Sequence, residues 1–263
     1  MTWFAFVLGV EPTAASVLPE VLGRLEQDGA KTTTHLMDEA FDVGTLGGAD
    51  VVVPRALNLD QLARLRPLED VGVRCCNRVA AAAAARDKAQ AARLLEESGV
   101  PTPATEVVAD WAGVEALAGR RPVVVKPLQG SRGAGVVFLP PVPDAAPWPG
   151  PYLVQDRVEH DGQDRKVYVA GERVGGVLRP WPPSSLREKR GQPFDPDDEE
   201  RRAAVAAGAA LGLEIFGVDL VVGRDGPVVV DVNGFPGFKG VAPAAAWIAD
   251  YLRAVARDLK VLR

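Results

Sequence analysis

The chain has 263 residues, a formal net charge of −5 and 47 % hydrophobic residues. That length supports a full core without a disulfide or metal staple, and that apolar content excludes an intrinsically disordered chain. The mildly acidic balance, with no long basic run, argues against nucleic acid as a partner. Small anions remain open, since they need only a local cluster of Lys and Arg.

Residues 3–10 are an apolar run closed by Gly9 and Pro12, the pattern of a buried parallel strand rather than of a signal peptide. Helical spacing of Val17, Val21, Leu22 and Leu25 predicts a helix over 14–28, ending at Gly29. Strands are expected at 32–37, at 51–53 before Pro54, and at 73–76, with a helix over 59–66 capped by Asn58. This alternation predicts a small doubly wound α/β domain, assigned to residues 1–84. Cys75 and Cys76 are adjacent, a spacing that rarely closes an unstrained disulfide, and read as two buried thiols of a cytoplasmic protein. No stretch approaches the length of a transmembrane helix, so no membrane partner is expected.

One long helix is predicted over 80–98, carrying Arg86, Asp87 and Lys88 in its middle and stopping at Gly99 and Pro101. Next come two strands, VVVKP at 123–127 and GVVFL at 135–139, joined by the glycine-rich turn QGSRGAG at 129–135 as a hairpin with a flexible tip. A Pro-rich connector follows at 140–151 and a strand at 152–158. A hairpin of 166–170 with 173–178 turns at Gly171. Residues 180–198 are polar and Pro-rich, as in a mobile surface loop. An Ala-rich helix over 199–212, a hairpin of 217–222 with 227–232 and a closing helix over 244–258 complete the chain.

The last hairpin carries the clearest chemistry. Asp231 and Asn233 are two apart on one strand and share a face, and an antiparallel partner can set Asp219 beside them. Two carboxylates and an amide oxygen make a hard-oxygen site suited to Mg²⁺, and both acids lie in apolar runs where an uncompensated charge is costly. Lys126 leaves a buried strand just before the glycine-rich tip, whose backbone N–H groups can approach phosphate oxygens. Lys88 alone reads as a solvated helix residue.

Taken together, the order of Lys88, VVVKP, a Gly-rich flap, LVQD and a D…DVN hairpin resembles the ATP-grasp superfamily over about residues 73–258. It is most similar to the RimK-type and LysX-type ligases. The resemblance implies an α/β (α+β) ATP-grasp fold: the N-terminal domain is followed by two subdomains, 85–157 with the flap and 158–263 with the metal site, clamping the nucleotide. It implies ATP as co-substrate and one or two Mg²⁺, with Mn²⁺ as a substitute. Lys88 and Lys126 then hold the phosphates, and Gly130, Ser131, Gly133 and Gly135 form the flap. Gln155, Asp156, Arg157 and Val158 match the hinge whose backbone reads adenine, although Asp156 replaces a Glu and Arg157 an aromatic. Asp164 and Lys166 fall on the family's D-x-R, with lysine at the arginine position. Arg179, with Lys126 and Lys166, would steady the transferring phosphoryl group. Asp219, Asp231 and Asn233 match the metal triad.

The resemblance implies a carboxylate–amine ligase working through an acyl phosphate on a small molecule, amino acid or peptide. The segment RPWPPSSLREKRGQPF at 179–194 departs from those ligases, and DVNGFPGFKG also resembles the inositol trisphosphate kinases, so a small-molecule kinase is the alternative. Arg187, Lys189, Arg190 and Lys239 could bind an anionic acceptor in either case, or 187–190 is a solvated loop. The sequence leaves a homo-oligomer open.

Overall fold

The computed structural model describes residues 1–263 except 14, 15, 129–134, 144, 182–184, 186, 187, 189, 190, 262 and 263. Gly130, Ser131 and Gly133 of the flap, and Arg187, Lys189 and Arg190, lie outside the described residues. So do six of the seven residues of 129–135 and seven of the nineteen of 180–198, the two stretches expected to move.

The N-terminal sheet holds β1 (Trp3–Leu8), β2 (Lys31–Leu36), β3 (Val51–Arg55) and β4 (Arg74–Cys75), all parallel, in the order β2-β1-β3-β4. Strand alternation sorts its core into two layers. Phe4, Phe6 and Leu8 pack with α1 (Leu18–Gln27) and the closing helix α7 (Ala244–Val261), while Ala5 and Val7 pack with α2 (Leu59–Asp70). Asn58 caps α2 through a reciprocal box with Gln61, and at its other end the helix runs on through Pro67 to Asp70, one turn further than its periodicity indicated.

The expected long helix is two. α3 (Val79–Arg86) and α4 (Lys88–Glu97) break at Asp87, which is extended (φ −90°, ψ 104°) and accepts from the N–H groups of Ala89 (3.0 Å) and Gln90 (3.1 Å). An aspartate carboxylate competes for backbone donors and favours a cap over a helix interior. Lys88 is therefore the first residue of α4, not a mid-helix residue.

The middle sheet is antiparallel, in the order β5-β8-β6-β7, from β5 (Thr105–Val108), β6 (Val123–Pro127), β7 (Val137–Leu139) and β8 (Tyr152–Asp156). β5 and α5 (Trp111–Ala118) were not anticipated. The third sheet, order β11-β10-β9-β12-β13, is also antiparallel. It comprises β9 (Gln163–Ala170), β10 (Arg173–Pro180), β11 (Gln192–Phe194), β12 (Ile215–Gly223) and β13 (Gly226–Gly234). β11 pairs with β10 inside the segment read as a plain loop.

α6 (Asp198–Leu211), boxed by Asp197 with Glu200, covers one face of this sheet with α4. Gly208 permits the close approach, since a Cβ there would sit 2.0 Å from the Phe216 ring. Among the described residues, no helix is long and apolar enough to cross a membrane.

Candidate active site

Register puts the polar residues of four neighbouring strands on one face. Arg179 of β10 lies opposite Asp164 of β9, Lys166 of β9 opposite Asp219 of β12, and Asp219 opposite Asp231 of β13. Two of these cross-strand pairs bond: Arg179 donates to Asp164 and Lys166 to Asp219. The same face continues into Tyr168, Ala170 and Val177, buried under α7, so the polar set occupies its open end.

A β-bulge sets this arrangement. Asp219 pairs with Asp231 but Leu220 pairs with Val229, so Val230 is the extra residue. The bulge lets Val229 and Val232 both enter the core under α6 while Asp231 and Asn233 face the opposite side. It also frees the Val230 carbonyl, which accepts from Lys126 Nζ at 3.0 Å. Asn233 Nδ2 donates to Asp231 Oδ2 at 3.2 Å.

Two lysines arrive from outside the sheet. Lys88, projected from the capped start of α4, donates to Asp231 Oδ1 at 2.6 Å. Lys126, on β6 of the middle sheet, donates to Gln155 Oε1 at 2.6 Å, and Gln155 is itself held by its Nε2 donating to Thr105 Oγ1 at 3.0 Å. The two sheets thus meet at Lys126.

The electrostatics follow from this crowding. Burial lowers the pKa of Lys126, aided by Lys88 and opposed by Asp231 and Asp219. Burial works against ionisation of Asp231, yet Lys88, Lys126 and Lys166 outweigh it and hold that carboxyl below its ordinary range. Burial and the Asp219 charge raise Asp164, against Arg179 and Lys166. For Lys166, burial is outweighed by Asp219 and Tyr168, and its pKa rises.

Asp219, Asp231 and Asn233 offer only hard oxygen donors, and ammonium groups already act as counter-charges to both carboxylates. That donor set fits a magnesium ion. Among the described residues no group of three His, Cys, Asp or Glu could hold a metal, so the amide of Asn233 is needed to complete the set.

The expected hinge is only partly open. Asp156 N donates to Ala104 O and Arg157 N to Pro122 O, each at 3.0 Å, so these two amides are committed within the protein. The Asp156 carboxylate pairs with Arg121, and Arg157 lies 5.7 Å over the Phe138 ring. Gln155 serves the site through its buried side chain. The Val158 N–H makes no backbone hydrogen bond among the described residues. Gly135 has φ +75° at the foot of the flap, against Pro127.

Three further features were not anticipated. Asn77, 1 % exposed, accepts from Glu214 N and Ile215 N at 2.8 Å and donates to Ile215 O at 2.7 Å. It ties the start of β12, and so the strand that carries Asp219, to the N-terminal part of the chain. An asparagine directly after an apolar strand, with no turn glycine, was the available signal. Arg74 bridges to Glu214 beside it. Arg55 and Arg86 line a cleft next to Lys88 and Asn233.

The family of RimK-like ATP-grasp domains matches residues 85–250. A probable alpha-L-glutamate ligase of Methanococcoides burtonii is 31 % identical over 245 residues, covering 84 % of this chain and 81 % of that protein. The crystal structure of a RimK domain ATP-grasp protein from Sphaerobacter thermophilus is similar with a TM-score of 0.72 at 19 % identity, over 95 % of this chain and 99 % of that one. The ATP-grasp ligase PsnB, complexed with a minimal precursor, Mg and ADP, is similar with a TM-score of 0.70 at 20 % identity, over 96 % and 98 % of the two chains.

Proposed function

The chain belongs to the RimK-like ATP-grasp family, and from that premise we propose how its residues divide the work of ligation. It is an ATP-dependent carboxylate–amine ligase. We take three units, 1–84, 85–157 and 158–263, with one sheet in each, and place the enzyme in the cytoplasm. The acceptor is a small molecule, an amino acid or a peptide end.

The reaction runs in two balanced steps. A carboxylate oxygen attacks the γ-phosphorus of ATP, the bond from phosphorus to the β,γ-bridging oxygen breaks, and ADP leaves with an acyl phosphate formed. An amine nitrogen then attacks the acyl carbon, loses a proton and expels inorganic phosphate. Such chemistry rests on positioning and charge neutralisation.

Lys88 and Lys126 converge on Asp231 and the adjacent Val230 carbonyl from two different elements, and we assign them to the phosphates. The flap of Gly130, Ser131, Gly133 and Gly135 follows Lys126 in the chain and would cover them. Arg179 and Lys166 are paired with Asp164 and Asp219; we assign them to the transferring phosphoryl group, to which they would turn when it arrives. We assign adenine recognition to the hinge of Gln155 to Val158, where the N–H of Val158 is the donor left open. Asp219, Asp231 and Asn233 would hold one or two magnesium ions, with manganese as a substitute. Such an ion, when bound, supplies charge neutralisation at the phosphate oxygens.

The observation that carries this reading is the single polar face of β10, β9, β12 and β13, met by two lysines from elsewhere. Incubation with Mg-ATP, hydroxylamine and a panel of carboxylic acids tests it. ADP release and a hydroxamate, both requiring the acid, are expected. A phosphate ester formed on a carboxylate-free alcohol, with no hydroxamate from any acid, would replace the ligase by a kinase.

A further inference from the structure

The cleft beside the phosphoryl site has an unusual charge. It encloses about 70 Å³ between the end of β3, the end of α3 and the end of β13, and is lined by Arg55, Arg86, Lys88 and Asn233 among otherwise uncharged residues. Among the described residues no carboxylate lines it, in a protein of net charge −5.

Lys88 has Asp231 as its partner. Arg55 and Arg86 have no ion pair or side-chain hydrogen bond among the described residues, and the Nε of each is buried without a partner. Burial lowers the pKa of Arg55, and its guanidinium lies 5.6 Å from the centre of the Phe235 ring. Two partly buried guanidiniums without counter-charge are costly unless a ligand neutralises them. Both side chains enter the cleft because of local backbone features. Arg55 ends β3, and the break at Asp87 places Arg86 and Lys88 on successive helix ends against the same space.

Resting on the ligase reading above, we propose that this cleft anchors a carboxylate of the acceptor that is not consumed in the reaction. The acceptor is then a small dicarboxylate, free or as the acidic end of a longer molecule. One carboxylate is forked by Arg55 and Arg86, matching the planar bidentate geometry of arginine. The other reaches past Lys88 and Asn233 to the transferring phosphoryl group. A diacid satisfies both ends of the cleft, whereas a monoacid that reacts leaves the arginines unpaired.

The probes are glutarate, its diamide glutaramide and inorganic phosphate, titrated calorimetrically into the full chain with Mg-ADP. Wild type is compared with Arg55→Gln, Arg86→Gln, Arg55→Lys and Arg86→Lys. Glutarate is expected to bind wild type and glutaramide not to bind. Each glutamine variant should weaken glutarate at least 10-fold, with part of the affinity kept in the lysine variants. The Mg-ATP thermal shift of every variant should match wild type, which checks the fold and the nucleotide site. If one glutamine variant is unfolded, the other and the lysine pair carry the comparison.

Three results overturn the assignment: no binding of glutarate to wild type, equal binding to both glutamine variants, or phosphate binding in place of glutarate. The ligase reading fails separately. If glutarate binds through the arginines yet no acid yields hydroxamate, the anchor stands and the reaction is wrong. If a diacid yields hydroxamate with unchanged KM in both glutamine variants, the ligase stands and the anchor is wrong.

Discussion

Replacing Asn77 by alanine should strip the start of β12 of its support and take the metal face with it. Asn77 satisfies two backbone N–H groups and one carbonyl, at Glu214 and Ile215, with bond lengths of 2.7–2.8 Å. Ile215 is 0 % exposed, so water cannot readily take over these bonds. The Ile215 carbonyl still accepts from Phe235 N at 2.9 Å, so two amides are orphaned. A buried backbone group left without a partner costs about 1–3 kcal/mol, and two groups with partial relaxation give roughly 2–4 kcal/mol. At about 2–4 °C per kcal/mol for a chain of this size, Tm should fall by about 4–16 °C. Urea unfolding at constant m-value measures the loss directly.

Asn77→Asp is the sharper variant, because its shape is conserved. One carboxylate oxygen still accepts from the two amides, while the other faces the Ile215 carbonyl where a donor stood. The two amide donors favour the charged form, but full burial and repulsion from that carbonyl outweigh them and raise the carboxyl pKa in the folded state above its unfolded value. The folded state then binds more protons, so stability falls as pH rises from the unfolded pKa through the folded one. The deficit relative to wild type should therefore shrink on acidification towards pH 4. A loss below about 1 kcal/mol in Asn77→Ala, or a pH-independent deficit in Asn77→Asp, would refute this account of the residue.

Asp231→Asn should cut acid-dependent ADP release by about 100-fold or more while keeping a cooperative melt, because it removes charge without opening a cavity; near-normal turnover would move the metal site elsewhere. Mg and ATP together, at about 100 times the dissociation constant, should stabilise the chain by about 2.7 kcal/mol, seen as a thermal shift absent with either alone. Burial raises the Cys75 thiol to about 12 and Cys76 well above its ordinary value, so both should resist a thiol-reactive disulfide reagent at pH 8 until the chain is unfolded. With a pKa about 12, only about one Cys75 in ten thousand is thiolate at pH 8; rapid native-state labelling would contradict the packing under β4.

The element order and the two-lysine, two-aspartate theme were legible because they depend on local pattern. Continuous apolar runs marked the strands, and a charge inside such a run marked the acidic hairpin of Asp219 and Asp231. The failures came where tertiary context decides. The alanine run at 80–85 has helix propensity enough to hide the break, yet the carboxylate of Asp87 outcompetes it by capping α4. β5 went unseen because Thr105–Val108 has no buried alternation, its outer residues being the partly covered ones. At the hinge, sequence similarity gave four equivalent backbone positions, while the fold commits Asp156 and Arg157 to Ala104 and Pro122.

The bulge at Val230 ties these threads together. In a regular strand, Val229, Asp231 and Asn233 would share a face, and either the valine would lie in the charged site or the acids would lie in the core. The run PVVVDVN gives no alternation from which to read the correction. One extra residue resolves it, sending Val229 and Val232 inward and Asp231 and Asn233 outward, and it exposes the carbonyl that receives Lys126. The same distortion that makes the core hydrophobic therefore recruits the lysine of the other sheet. Each carboxylate on that face is matched by a cation: Asp164 by Arg179, Asp219 by Lys166 and Asp231 by Lys88. A charge set balanced in this way can exist without nucleotide at modest cost. Phosphates and a divalent ion can then enter by exchanging partners, lysines and arginine turning from carboxylate to phosphate. Among the described residues Arg55 and Arg86 lack such partners, which is why they mark the place of a carboxylate brought from outside.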